Sequence, residues 1–196
     1  MKKVILVASI LFVAVASTAC INNLAVQDLN NKAKMYADKG DYTQAIERLK
    51  SGIDLDPSFY ETHYNLAVVY TKAEDYLNAT EEFKKVIEMK PNNADSYYSL
   101  ATAQNNLAVD MTQGRVRMNV DDILYTPKAD EIDFSEKYEL SEKEQDYING
   151  LYNDAMANYQ KYLELNPNAS DKDTVEKQIE AIQKALNPEE IPQVEE

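Results

Sequence analysis

Apolar residues along the middle of the chain fall on two helical stripes that restart after each proline. His63, Leu66, Ala67 and Tyr70 stand three and four positions apart, the spacing of one helix face, and Ala79, Phe83, Val86 and Ile87 repeat that spacing further on. The same slots are filled one period earlier by Leu29, Ala33 and Tyr36, then by Tyr42, Ala45 and Leu49. Pro57 and Pro91 close the two segments 34 residues apart. A proline disfavours helical geometry in the residue before it, so Asp56 and Lys90 are expected to end helices. Two helices per period, restarted at fixed spacing, predict a stacked array of helix pairs in which each pair buries its apolar face against the next.

These slots resemble the tetratricopeptide repeat: His63, Ala67, Tyr70, Tyr76, Ala79, Phe83 and Pro91 in one period, and Leu29, Ala33, Tyr36, Tyr42, Ala45, Leu49 and Pro57 in the other. The resemblance implies an all-α helix-turn-helix solenoid, with repeats at 26–59 and 60–93. In the first repeat Lys32 stands where an apolar residue is usual, as suits an end repeat with no neighbour on that side. A third repeat is interrupted. Tyr97, Leu100 and Ala101 keep the register of a first helix, but Tyr152, Ala155, Tyr159 and Pro167 supply the second only later, with Pro167 76 residues after Pro91. One period plus 42 residues accounts for this, which puts repeat three at 94–169 with an insertion at about 108–149 between its helices. Ser141 and Glu144 have capping-box spacing, so the second helix is expected to start near Glu142. The stretch from Asp110 to Leu140 contains Pro127 and no clear period, as in functional or disordered loops. A helix over 173–186, with Val175, Ile179, Ile182 and Leu186 on one face and Asp173 and Glu176 as a capping pair, is expected to cap the array. The repeat domain thus runs over 26–186, and 187–196 is an acidic tail.

The formal charge is −14, from 34 acidic against 20 basic residues. A chain that acidic is repelled by phosphate backbones, and it shows no basic patch, so nucleic acid is not an expected partner. Residues 1–19 read as a signal peptide: Lys2 and Lys3 precede the apolar run Val4 to Ala16, followed by Ser17, Thr18 and Ala19. The run is shorter than the roughly 20 residues that span a bilayer. Cys20, the one cysteine, comes next, so no internal disulfide forms. Ser17 to Cys20 resemble a bacterial lipobox, with Ser17 where an aliphatic residue is usual. The resemblance implies acylation of Cys20 with chains such as palmitate, a tether over 20–25, and anchoring in the cell envelope. In a diderm bacterium, Ile21 after the cysteine implies the outer membrane. Two acyl chains suffice for stable anchoring.

Enzyme chemistry has little to work with. His63, the one histidine, occupies a core slot, and with Cys20 acylated no Cys/His metal site or dyad forms. Asp54 with Asp56, and Asp130, Glu131 and Asp133, do not have EF-hand spacing. No metal, cofactor or catalytic residue is therefore expected. Among the fourteen tyrosines, Tyr64 and Tyr98 fall one period apart on the first-helix face that, by the resemblance, lines a concave groove. Asn30, Lys34, Asn65 and Val68 share that face, as do Thr102 and Asn105. Aromatic anchors among amides suit an extended or helical peptide. Relatives that bind chaperone tails carry a carboxylate clamp of Lys, Asn and Arg. Only Asn65 matches it here, while Asn30, Lys34, Asp95 and Ser99 hold the other clamp positions, so a terminal carboxylate is not the expected ligand. The expectation is a lipid-anchored scaffold that recruits a protein or peptide in the envelope. Envelope lipoproteins with such repeats include adaptors for peptidoglycan hydrolases, outer-membrane assembly factors and pilus pilotins. The alternative is a passive subunit of an envelope assembly, secretion or pilus complex. The sequence sets neither the partner's identity nor the oligomeric state.

Overall fold

The computed structural model describes residues 23–131 and 138–187. The expected signal segment 1–19, the expected lipidation site Cys20 and residues 188–196 of the acidic tail lie outside them. Seven α-helices occur among the described residues: α1 (23–37), α2 (Tyr42–Leu55), α3 (Tyr60–Lys72), α4 (Tyr76–Met89), α5 (Ala94–Thr112), α6 (Glu142–Leu165) and α7 (Lys172–Leu186).

The helix ends repeat as the sequence does. Asp41 and Asp75, one period apart, cap α2 and α4 by accepting the N–H of Gln44 at 3.1 Å and of Asn78 at 3.2 Å. Where a proline follows, the last residue turns extended. Asp56, Lys90, Asn166 and Asn187 have φ between −148° and −126° and ψ between 68° and 94°, and each N–H donates to the carbonyl four residues back. The side chain one helical turn into the next helix reaches back to the same proline. His63 Nε2 lies 3.1 Å from the Pro57 carbonyl and Tyr97 Oη donates to that of Pro91 at 3.0 Å. A carbonyl only accepts, so Nε2 of His63 carries the proton, and this histidine, 4% exposed, is a packed core residue.

Two compact units divide the chain at Glu74 and Asp75. In the first, α2 packs on α3 and their buried side chains include Ala45, Leu49, Leu66, Ala67 and Val69. Gly52 faces Thr62 of α3 closely: an added Cβ would meet its Cγ2 at 3.2 Å, a tight contact. Helix α1 begins by residue 23, so 23–25, read as tether, are helical, with Gln27 Nε2 donating to Asn23 Oδ1 at 2.7 Å. Lys32 faces outward in an ion pair with Asp28 at 2.6 Å.

In the second unit α5 packs on both α4 and α6, and α6 on α7. Ala101 and Ala155 are fully buried where α5 meets α6, and around them Tyr159, Tyr162, Val175 and Ile182 form one core cluster. Helix α5 runs past Ala108, the expected start of the insertion, to Thr112. Leu107, Ala108 and Met111 then pack with Val116, Ile148 and Leu151 in a second cluster. Each fully buried aliphatic side chain of this kind contributes about 1.5–3 kcal/mol, which outweighs the lack of clear helical period beyond Asp110. Just beyond α5, Gly114 turns left-handed, φ 70°, with its N–H bonded to the Met111 carbonyl and that of Arg115 to the Asp110 carbonyl. Helix α6 opens at Glu142 on the Ser141/Glu144 capping box. The expected capping pair of α7 does not form. Its N-cap is Asp171, whose carboxylate accepts from Tyr162 Oη at 2.7 Å instead of capping, and Asp173 lies within the first turn.

Among the described residues, the connector between α5 and α6 is built rather than open. It holds a two-stranded antiparallel hairpin, β1 (Arg117–Met118) and β2 (Leu124–Tyr125), and a single 3-10 turn at Ala129–Glu131. Its anchor is Glu144, 3% exposed, which accepts from Ser141 N at 3.0 Å, Ser141 Oγ at 2.8 Å, Met118 N at 3.1 Å and Tyr138 Oη at 2.9 Å. The guanidinium of Arg117 lies over the Tyr138 ring, 4.8 Å from its centroid. Gly114 is required twice here, by its left-handed φ and because a Cβ would come within 2.7 Å of Tyr138.

Candidate functional site: a cleft in the first unit

The first unit has a concave cleft of about 320 Å³ between α1 and α3. Four residues that the sequence places on the groove face, Asn30, Lys34, Asn65 and Val68, line it together. The buried side chains of Ala33, Leu49 and Val69 give it an apolar floor.

Above that floor runs a ladder of amides. Asn30 Nδ2 donates to Val26 O at 2.9 Å and to Thr62 Oγ1 at 2.8 Å, and its Oδ1 accepts from Asn65 Nδ2 at 2.7 Å. The Asn30 carboxamide is thereby fixed between α1 and α3, and the Asn65 carboxamide is oriented by it. Asn65 is exposed, and its Oδ1 has no partner among the described residues. Lys34 and Lys72 stand at the rim, and neither enters an ion pair among the described residues; Asp38 is the acid on that rim. Lys72 did not emerge from the sequence reading, although it lies one helical turn beyond Val68. The cleft thus presents ammonium donors, an amide acceptor and an apolar floor, the groups that meet a peptide's carbonyls, N–H groups and side chains. It offers no nucleophile paired with a base. Among the described residues no group of three or more His, Cys, Asp or Glu is placed to hold a metal ion, and no helix is long and apolar enough to cross a membrane.

The remaining candidates lie elsewhere. Tyr64 is half-buried on α3 and does not line the cleft. Tyr98, Thr102 and Asn105 belong to the second unit. Tyr98 is half-buried, its ring 5.7 Å from Tyr159 edge-on and 5.3 Å from Tyr162. Thr102 Oγ1 bonds Tyr159 Oη at 3.0 Å, and Asn105 is half-buried. Burial raises the Tyr159 phenol above its ordinary value and the Thr102 hydrogen bond works against that rise, so the hydroxyl stays neutral over the physiological range. Cys20 lies outside the described residues.

Helix pairs, proline-closed turns and a cleft between first helices define the class: an all-α repeat protein. Comparison with known proteins then specifies the repeat. A TPR repeat model matches residues 33–74, and tetratricopeptide repeat models match 60–93 and 82–113. The chain carries tetratricopeptide repeats and has the helix-turn-helix solenoid fold of that class. Residues 114–196 lie beyond these models, and there the fold rests on structural likeness. The first tetratricopeptide domain of Spaghetti (RPAP3), solved bound to the HSP90 peptide SRMEEVD, aligns at 18% identity over 83% of this chain and 94% of its own, TM-score 0.56. The Arabidopsis OM64 TPR domain aligns at 14% identity over 82% and 98%, TM-score 0.56. TTC0263, a thermophilic TPR protein of Thermus thermophilus, aligns at 17% identity over 83% and 66%, TM-score 0.54. No curated protein matches the sequence.

Proposed function

We propose that the protein is a non-catalytic, lipid-anchored scaffold of the bacterial cell envelope, one that recruits another protein by binding a peptide segment of it in the cleft between α1 and α3. The observation that carries this reading is the gathering of Asn30, Lys34, Asn65 and Val68, distant in sequence, around one concave site with unpaired donors and an open acceptor. The RPAP3 domain, similar in fold, was solved with a peptide bound, which supports a peptide ligand of some kind here. It does not support the same one. Asn30, at a clamp position, has both its amide donors and its acceptor engaged within the protein, and Asp95 brings a negative charge to another. The ligand is an internal segment rather than a terminal carboxylate. Acylated Cys20 holds the repeats close to the membrane, the outer membrane in a diderm cell.

Affinity isolation from detergent-solubilised envelope, with the full chain and with its Lys34→Glu/Asn65→Ala variant as bait, tests this. Both residues are exposed, so the variant folds. A partner present with the wild type and lost with the variant supports the adaptor. A partner retained equally by both points to a passive structural subunit and overturns the assignment to the cleft.

A further inference from the structure

The tip of the connector hairpin presents apolar side chains to solvent on a fixed frame. Val120 is 95% exposed, Ile123 59% and Tyr125 41%. The turn that carries them is held by several hydrogen bonds. Asn119 Oδ1 accepts from Asp121 N at 3.0 Å and Ile123 N at 2.9 Å, while Asn119 N donates to Ile123 O at 3.0 Å. Asp122 is left-handed, φ 61°, a conformation that costs a residue other than glycine about 1–2 kcal/mol. From α6, Lys143 Nζ grips both carboxylate oxygens of Asp122 at 2.7 and 3.0 Å. The inward face of the hairpin is pinned separately, through Met118 to Glu144 and by Leu124 against the core of Leu107, Met111 and Ile148.

Turn positions are ordinarily filled by Gly, Pro, Asn, Asp and Ser, which serve the turn's own backbone, a role that Val120 and Ile123 do not have. Here a strained, multiply bonded turn holds Val120 and Ile123 outward, and the other strand sets Tyr125 opposite Arg117 beside them. Asp122 is matched by Lys143, but Asp121, Asp130 and Glu131 are exposed acids that enter no ion pair among the described residues. Of the connector's cations among the described residues, Arg115 pairs with Asp110, the Arg117 guanidinium is held on the Tyr138 ring and the carbonyls of Gly114 and Glu131, and Lys128 enters no ion pair. An anionic bilayer repels such a rim, and so does a second copy of a chain with net charge −14.

We propose that Val120, Ile123 and Tyr125 form a docking knob for a protein partner with an apolar pocket rimmed by Lys and Arg. This surface is independent of the cleft between α1 and α3.

A photoreactive benzophenone residue in place of Tyr125, in the full chain expressed in its own cells, tests it, with the same residue in place of exposed Lys177 as control. The expected product is an adduct with one protein, mapped to an apolar peptide flanked by basic residues. Its yield should fall about tenfold with Val120→Asp, and less with Val120→Ser, as for loss of a buried interface anchor. In membranes prepared from those cells and irradiated at about 1 M salt, where the Debye length is ~3 Å, it should fall also. Both variants should keep the wild-type helical circular dichroism and melting temperature. Adducts with lipid or with a second copy, a crosslinked peptide lacking basic residues, a yield indifferent to Val120→Asp, or no adduct above the Lys177 control would each overturn the proposal. Lys34→Glu/Asn65→Ala is expected to leave this adduct unchanged, which separates failure of the knob from failure of the cleft.

Discussion

At Gly40 the backbone φ is 77°, and one period later, at Glu74, it is 59°. Both residues follow a first helix and close it with an N–H to the carbonyl three residues back, in the left-handed turn that glycine fills without steric cost. Repeat two thus carries a strained residue where repeat one does not. Glu74→Gly is expected to stabilise the first unit by about 1 kcal/mol, read as a shift of the denaturant midpoint at unchanged slope. Glu144 gives a prediction in pH. Burial works against its charge, but hydrogen bonds from Ser141, Met118 and Tyr138 more than offset this and hold its carboxyl below the ordinary value. A depressed pKa in the folded state means that its contribution is present above the unfolded value, about 4.3, and is lost as pH falls through the folded one. Glu144→Gln should cost about 1–3 kcal/mol at pH 7 and flatten that acid limb, with faster proteolysis of the connector as a local readout. Tyr138 moves the other way. Burial, then its bond to Glu144, pushes its phenol up to about 12, so its contribution is present below the unfolded value of about 10 and lost as pH rises through the folded one.

Among the elements, symmetry gives the sharper test. Asp41 and Asp75 make the same cap in two repeats, so Asp41→Ala and Asp75→Ala should each cost about 1 kcal/mol in thermal or denaturant unfolding. The elements were legible in the sequence where their signals are local. Proline ends, the Ser141/Glu144 box and helix stripes each act within one or two turns. The hairpin was not, because strands of two residues show no alternation and Leu124 is fixed by residues far along the chain. Gly114 marks the end of α5, but a lone glycine beyond a fading stripe reads as loop until Met111 and Ile148 are seen packed in one cluster. The candidate site was legible in part for the same reason. Register alone places Asn30, Lys34, Asn65 and Val68 on one face, whereas the neighbours of Tyr98 come from α6, more than fifty residues on.

For the molecule as a whole, the proposed membrane attachment and the proposed recruitment are separable. Cys20→Ser should move the protein from the membrane fraction to the soluble fraction of envelope preparations and abolish incorporation of labelled palmitate, with the melting temperature of the repeats unchanged. Recruitment is tested most directly by hydrogen exchange of the full chain with and without the captured partner. Slowed exchange is expected at the cleft, along α1 around Asn30 and Lys34 and along α3 around Asn65 and Val68, with loss of that protection in Lys34→Glu/Asn65→Ala. Saturating partner with no change at α1 and α3 would contradict it.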